Sequence, residues 1–350
     1  MGNAGKERVT LRTLSEHLDL SPTTISVVLN NSPAARFIPV ETRERIIQAA
    51  HKLQYRPNYL ARSLSKGSSM SIGILAPELS EGYFIQVMNG VEEYLISRKY
   101  FYFLACHYWN DELVRNYPKM LVDRAVEGLL LINSPVPEGI EVPIVAISGH
   151  HAALGITEIQ VDHRKAAALA LGHLVKLGHT RIAFMKGQPY TSDTEGRWKN
   201  ILEVAADMGV TVRPELNIYL RANSWSPELG YEPTKDLLRR TRDFTALFCF
   251  NDTSAIGAIR ALYEEGLSVP HDVSVIGFDD IMGAPYGIPS LTTVRQPLRR
   301  MGELGAEVLL ERIHHATTDY GPQIVLNPEL IVRESTAAVT SQARTAKARH

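Results

Sequence analysis

The sequence predicts an α/β protein in two parts: a small all-α N-terminal module and a larger body of alternating strands and helices arranged as two lobes. Three observations predict it. From Leu11 to Leu64 apolar residues recur at helical spacing with little strand signal. Ser65–Ser71 (SKGSSMS) is small and polar and reads as a linker. Beyond it, short apolar runs alternate with amphipathic segments. There are too many strands for one compact Rossmann-type unit, so two similar lobes with a cleft between them are expected.

In the first module Thr10 is placed to cap a helix, Leu11–Leu18, whose Leu11, Leu14 and Leu18 share one face. After the turn Asp19-Leu20-Ser21, Ser21 caps a second helix. It begins at Pro22, where a missing N–H costs nothing, and runs to about Asn30. Ile25, Val28 and Leu29 form its inner face, leaving Thr23, Thr24, Ser26 and Val27 for other contacts. Two short helices joined by a tight turn make a helix-turn-helix, and the major groove of DNA admits one α-helix. A third amphipathic helix, Val40–Leu53, packs across the pair. Pro57 then starts Asn58–Leu64, a helix of about two turns that is marginal alone. With Arg62 and an apolar tip at Leu64 it suits the minor groove, where an apolar wedge kinks the duplex.

In the body the strand-like runs are Ile72–Ala76, Tyr102–Cys106, Gly128–Ile132, Ile144–Ile147, Ile182–Met185, Leu247–Phe250 and Val273–Phe278. Between and after them lie the helix-like segments Phe84–Arg98, Leu113–Asp123, Lys165–Leu177, Arg197–Met208, Glu228–Arg240, Ser254–Glu264 and Arg300–His315. This alternation implies parallel sheets with helices on both faces. The end, SQARTAKARH, is polar and basic and reads as a disordered tail without a heptad repeat.

Charge separates the two parts. The chain has a net charge of −1, but residues 1–69 hold ten basic against five acidic side chains, leaving −6 on the remainder. A basic module on an acidic body fits nucleic-acid contact. MGNAGKERVT has no apolar leader core, and no run of about 18 apolar residues exists to span a membrane, so the cytoplasm is the expected compartment. Cys106 and Cys249 lie in or beside apolar stretches and read as reduced, buried thiols. Enzyme chemistry finds no support. The G-x-S-x-G elbow, the Walker A loop and the G-x-G-x-x-G fingerprint are all missing. His150-His151 and His314-His315 are adjacent residues, not the i, i+4 pair of a helical zinc site. Asp279-Asp280 are adjacent too and point different ways. No cofactor or metal is called for.

The run TLRTLSEHLDLSPTTISVVLNN, then VETRERIIQAAHKLQYRPNYLARSL, resembles the DNA-binding headpiece and hinge of the lactose-repressor/galactose-repressor (LacI/GalR) family. The resemblance continues through SIGILAPELSEGYF, VDHRKAAALALGHLVKLGHTRIAFMKG, FNDTSAIGAIRALYEEGLSVPHDVSVIGFDDI and PSLTTVRQP, and so covers most of the chain. It implies a helix-turn-helix headpiece over 8–56 and a hinge helix and linker over 57–70. A two-lobed effector-binding and dimerisation domain like the periplasmic sugar-binding proteins spans 71–336, with three strands crossing between its lobes, and the tail is 337–350. By motif position it assigns DNA contacts to Thr10, Ser21, Pro22, Thr23, Thr24, Ser26, Val27, Asn30, Tyr55, Asn58, Ala61, Arg62 and Leu64. Many family members carry Arg where this chain has Val27. An Arg grips guanine in a fork, whereas Val makes only apolar contact, so the facing base pair is expected to be A·T-rich or weakly read.

For the effector, the loops after the strands are expected to line the cleft. The resemblance points to Tyr83, Phe84, Thr191, Asp193, Arg197, Trp225, Asn251 and Asp279, while Asn200 and Ile201 replace the family's usual Gly and aromatic. Asn251 is an equally good helix cap, and Asp162 reads as a cap or a lobe-coupling residue. The implied protein is a homodimeric repressor of a near-palindromic operator, answering to a sugar or sugar derivative, with a purine as the alternative. A transport binding protein without regulatory role is the rival reading; the basic headpiece argues against it.

Overall fold

In the computed structural model the described residues are 9–55, 67–79, 82–148, 155–189, 191–220, 226–315 and 320–339. The chain divides into two compact units, one ending at Ser69 and one beginning at Met70.

The first unit is helical. Helix α1 (Leu11–Leu18) starts in a capping box: the Thr10 hydroxyl accepts the Thr13 N–H, and the Thr13 hydroxyl accepts the Thr10 N–H. It ends at Asp19 in the left-handed region, φ 53°. Helix α2 (Pro22–Leu29) has Ser21 as its cap, accepting Thr24 N–H at 3.1 Å. A 3-10 turn at Pro33–Phe37 leads to α3 (Val40–Lys52). The turn has no counterpart in the sequence reading, because a single turn is too short for apolar periodicity to show. Leu14, Leu18, Ile25, Val28, Ile46, Ala49 and Ala50 form one buried cluster, ringed by Leu20, Leu29, Leu53 and Tyr55. The inner faces read from the spacing are therefore the faces that pack.

The second unit holds two six-stranded sheets. The first lobe runs, in spatial order, β11 (Gln323–Leu326), β5 (Thr157–Val161), β4 (Ile144–Ile147), β3 (Leu129–Ile132), β1 (Ser71–Ala76) and β2 (Phe101–Cys106), all parallel. The second runs β12 (Glu329–Ile331), β10 (Thr292–Arg295), β9 (Ser274–Asp279), β8 (Ala246–Phe248), β6 (Ile182–Lys186) and β7 (Asn217–Tyr219), with β12 alone antiparallel to its neighbour. The central strands are buried along their whole length and mostly apolar, as strands covered on both faces are.

The chain changes lobe three times. It leaves the first lobe between β5 and α6 (His163–Lys176), returns between β10 and α10 (Leu298–His314), and leaves again between β11 and β12. Asp162, at the first crossing, caps α6 by accepting Lys165 N–H at 2.8 Å, the capping role read for it. Its own N–H donates to the Leu326 carbonyl at the third crossing, and Lys165 Nζ donates to Asn327 Oδ1 at 2.9 Å. The first and third crossings are thus stitched together.

Within each lobe one helix pair meets backbone to backbone. In the first, a Cβ at Gly90 of α4 (Tyr83–Ser97) would strike the Arg299 carbonyl, and one at Gly302 of α10 would strike the Val87 carbonyl. In the second, Gly230 of α8 (Glu228–Arg240) abuts the Ser254 carbonyl, and Gly257 of α9 (Asp252–Glu264) abuts that of Pro227.

Several boundaries differ from the sequence reading. Helix α7 spans Ser192–Asp207, starting five residues ahead of Arg197, because its first turn (Ser192–Glu195) is polar and shows no apolar periodicity. The strands β5, β7, β10, β11 and β12 mix polar with apolar residues over three to five positions, so no apolar run marks them. Past residue 336 the chain still belongs to the second lobe: His179 Nε2 donates to the Ala337 carbonyl at 3.0 Å, and Val339 N–H donates to that of Leu177. Among the described residues both cysteines are free, Cys249 buried and Cys106 half-buried. No described helix is long and apolar enough to cross a membrane.

Candidate functional site

Parallel strands leave their carboxyl ends facing the gap between the lobes, and the loops that follow them build the site. Tyr83 and Phe84 open α4 after β1. Asp193 and Arg197 lie one turn apart in α7 after β6. Asn251 follows β8, and Asp279 ends β9. All six line one cleft, whose space, open solvent included, is about 620 Å³.

Arg197 is its structural centre. It is 6% exposed, and its Nη1 donates to the Phe250 carbonyl at 2.6 Å. Its guanidinium lies over two rings, 3.9 Å from the centre of Phe278 and 4.4 Å from that of Phe250. Nη2 stands 3.8 Å from Asp193 Oδ2, the i, i−4 partner on the same helix face. Asp193 in turn lies 4.0 Å from Nε2 of His163, which stacks against Phe278. Guanidinium between aromatic faces, held by a carbonyl and a carboxylate, is a geometry Lys does not reproduce.

Asp279 is buried, and Gln296 Nε2 donates to its Oδ1 at 2.7 Å. Burial pushes its pKa up to about 7; Arg197 and the Gln296 bond pull the other way, and Asp193 adds to the rise. Its φ of 114° is costly for a residue with a Cβ. The turn is held from beneath by Asp252, which accepts Ile281 N–H at 2.9 Å and the Thr293 hydroxyl at 2.5 Å. Burial, reinforced by Asp279, raises the Asp252 pKa as well. Asp280 points elsewhere, to Arg295 and Arg333, both at 2.7 Å. The adjacent carboxylates therefore do separate jobs.

From the first lobe, Tyr83 donates its hydroxyl to Ser148 Oγ at 2.8 Å. Burial, and next the Asp193 carboxylate, drive its pKa far up, so it stays a neutral phenol. Gln86 Nε2 reaches the Asp280 carbonyl across the gap at 3.3 Å, and a Cβ at Gly82 would press on Ile281. The lobes thus touch beside the cleft.

Asn251 caps α9, accepting Ser254 N–H at 2.9 Å in a capping box, while also lining the cleft. Thr191 is turned inward: its hydroxyl donates to the Gln188 carbonyl at 3.0 Å, and it is not among the lining residues. Trp225 lies outside the described residues. The sequence reading missed Glu78, Asn133, Phe250 and Thr253, which also line the cleft. The same rule, that loops after strands face the ligand, pointed to Glu78 just past β1 and Asn133 just past β3. Burial raises the Glu78 pKa.

In the first unit Pro22, Thr23 and Asn30 are exposed on α2, and Thr24, Ser26 and Val27 are half-buried. Ser21 Oγ and Thr24 Oγ1 are 2.8 Å apart, and Asn30 Nδ2 donates to Ser26 Oγ at 3.0 Å. Thr10 caps α1, and Tyr55 packs at the edge of the core. Asn58, Ala61, Arg62 and Leu64 lie outside the described residues. Among the described residues no group of His, Cys, Asp and Glu is placed to hold a metal ion.

Residues 19–58 match the family described as bacterial regulatory proteins, lacI family, and residues 171–336 match a periplasmic binding protein-like domain. The HTH-type transcriptional repressor PurR of Haemophilus influenzae is 33% identical over 344 residues, covering 94% of this chain and 99% of the relative. Among solved structures, the Lac repressor dimer bound to operator and the anti-inducer ONPF is similar with a TM-score of 0.82 and 25% identity, over 95% of this chain and 100% of that one. A complex of the transcriptional regulator CelR with cellobiose is similar with a TM-score of 0.68 and 26% identity, over 94% and 100%.

Proposed function

This chain belongs to the lacI family of bacterial regulatory proteins and is a ligand-responsive, DNA-binding transcriptional repressor; we propose that it acts as a homodimer on a near-palindromic operator and that a small molecule in the cleft sets its affinity. The observation that carries the reading is that one cleft gathers Tyr83 and Phe84 from the first lobe with Arg197 and Asp279 from the second, in a chain whose other unit presents a helix-turn-helix. A ligand bridging those four ties the lobe setting to its own binding. The reading needs no chemical step, and so describes a regulator rather than an enzyme, working in the cytoplasm.

On DNA, α2 enters the major groove, with Pro22 and Thr23 toward base edges and Ser21, Thr24, Ser26 and Asn30 reaching bases or phosphates. Thr10 and Tyr55 contact the backbone. Asn58, Ala61 and Arg62 lie along the minor groove, where Leu64 is the wedge at the operator centre. The effector is a sugar or sugar derivative, bound by aromatic faces and by polar groups that fix hydroxyls: Asp193, Arg197, Asn251 and Asp279, with Trp225 added by the family resemblance. The cellobiose complex of CelR supports this. A purine is the second reading, favoured by the rings of Tyr83, Phe84 and Phe250, on which a flat base stacks; the Haemophilus influenzae relative is a PurR repressor.

Dimerisation is supported by the second lobe's surface. Tyr263, Met282, Tyr286 and Ile288 are 71%, 73%, 85% and 98% exposed. An apolar patch of this kind marks an interface.

The test is selection of sequences from a random DNA pool by the full-length protein at fixed salt, without ligand and then with sugar and purine panels. The expected product is a short near-palindrome whose recovery changes with one panel and whose base pair facing Val27 is A·T or variable. Binding that only tracks salt under every condition, or a strict G·C at that pair, refutes the corresponding part of the reading.

A further inference from the structure

We propose that Glu127, Tyr100 and His314 form a polar clamp that holds Met70, where the second unit begins, to the far ends of helices α4 and α10, and that loosening this clamp passes the state of the cleft to the chain leading into the DNA-binding unit. The inference rests on the regulator reading above and names positioning residues that do not line the cleft.

Met70 has φ 49°, a left-handed conformation that a residue with a side chain keeps only where its surroundings impose it. Both of its backbone polar groups are held. Its N–H donates to Glu127 Oε1 at 2.9 Å, and its carbonyl accepts the Phe101 N–H at 2.9 Å. The other oxygen of Glu127, Oε2, accepts the hydroxyl of buried Tyr100 at 2.6 Å. That phenol has one proton, and it is spent on Glu127. The 3.2 Å contact between Tyr100 Oη and His314 Nε2 therefore runs the other way, from imidazole N–H to phenol oxygen. Burial, and next the bond to Glu127, raise the Tyr100 pKa and keep it a phenol. The result is a directed chain of hydrogen bonds from His314 through Tyr100 to the carboxylate that holds Met70.

Tyr100 and His314 stand at the far ends of two helices that begin at the cleft. Tyr83 and Phe84 open α4 in the cleft wall, and Tyr100 follows its last turn, its N–H bound to the Leu95 carbonyl at 2.9 Å. Helix α10 starts two residues after Gln296, which holds Asp279, and His314 is its last residue. Its 17 residues make a rod of about 25 Å. The two helices meet with Gly90 and Gly302 each against the other's backbone, and Arg299 pairs with Glu93, so neither slides without the other. The turn that carries Glu127 rests on the same rod: a Cβ at Gly128 would press on Leu309 and Ile313. Packed pieces of this kind move as rigid bodies. A ligand that shifts the cleft ends of α4 and α10 against the first sheet therefore shifts Tyr100 and His314 at the other end. The clamp opens, Met70 is released from its left-handed conformation, and the chain that precedes it is re-aimed.

The experiment is amide hydrogen exchange, read by mass spectrometry on the full-length protein, free and bound to the DNA sequence it selects from the random pool. Coupling is reciprocal, so operator binding must reach the cleft by the route along which a ligand's effect leaves it. In the wild type, DNA is expected to protect residues 70–72 and also 296–303, the cleft end of α10. Tyr100→Phe and His314→Ala each break the chain between α10 and Glu127 and leave the bond from Met70 to Glu127 in place. Both are expected to keep the protection at 70–72 and to show about threefold less at 296–303. Tyr100→Phe keeps the ring in the core, and His314 is exposed at a helix end, so the second variant leaves the core intact. Glu127→Ala removes the acceptor and is expected to speed exchange at 70–72 about tenfold in the free protein. In all three variants exchange in β8 and β9 of the second lobe is expected to match the wild type; a rise there as well would mark a merely loosened fold and overturn the assignment. Equal protection at 296–303 in the wild type and both chain-breaking variants overturns it too, as does exchange at 70–72 that Glu127→Ala leaves unmoved. A protein that selects no operator sinks the regulator reading, whereas a normal operator with unaltered exchange in the variants sinks the clamp alone.

Discussion

At Asp279 burial, backbone and charge act on one side chain. The residue closes β9 at a positive φ, a strain that costs on the order of 1–3 kcal/mol. Its carboxyl has Arg197 and Asp193 facing it from α7, Asp252 from α9, Tyr83 from the first lobe and Gln296 from the second crossing. With a folded pKa of about 7 against an ordinary 3.8, the fold prefers the protonated form. Its stabilising contribution is complete below pH 4 and is lost as pH rises through about 7. Asp279→Asn, which keeps the acceptor for Gln296, should gain on the wild type by about 3 kcal/mol between pH 5 and pH 8 in denaturant titrations. A difference that stays flat with pH would show that the carboxyl is ionised throughout. Arg197 and Asp279 were legible in the sequence because each is a charged residue just past or beyond a buried strand, inside a motif with a family resemblance. Glu78 and Asn133 obey the same rule, but nothing in their local pattern separates them from loop residues. That Asn251 both caps a helix and faces the cleft shows why its sequence reading stayed open.

Among elements, the helices and the apolar strands announced themselves and the short strands of mixed polarity did not. Central strands such as β3 and β4 are unbroken apolar runs, whereas β7, β11 and β12 mix polar with apolar residues and differ in exposure along their length. Their extended form comes from pairing with a neighbour, which local sequence does not record. The polar first turn of α7 hides its start for a similar reason: capping, not burial, decides it. The glycine contacts belong at this scale too. Gly90 and Gly302 each give the other helix's backbone a place to lie, a reciprocity invisible in a single segment. Gly302→Ala should lower stability by about 2–3 kcal/mol through overpacking, although alanine is the better helix former by about 1 kcal/mol. A denaturation midpoint equal to that of wild type would mean the two helices separate without penalty.

For the whole molecule, the two-lobed architecture was legible from strand count and from the repeated strand–helix alternation. The allocation of elements to lobes was not, since α10 follows second-lobe strands yet packs in the first lobe. Assembly is likewise a property of the complete chain. Ile288→Asp places a charge on the exposed second-lobe patch. It should halve the mass measured by sedimentation and weaken operator binding at least tenfold while leaving ligand binding in place. An unchanged mass would move the interface elsewhere.

The three crossings also fix an order in time. The first lobe opens with β1 at Ser71, yet its core includes Leu298, Met301, Val308 and Leu309 of α10, and its sheet is finished by β11 at Leu326. The second lobe's helices and all but one of its strands are complete by Arg295. On a ribosome the lobe that begins first is therefore the one that finishes last, and it must wait, with its apolar strands uncovered, while its neighbour folds. A chain interrupted near residue 296 would release a nearly whole second lobe joined to an unfinished first one, which is where a chaperone would be needed most.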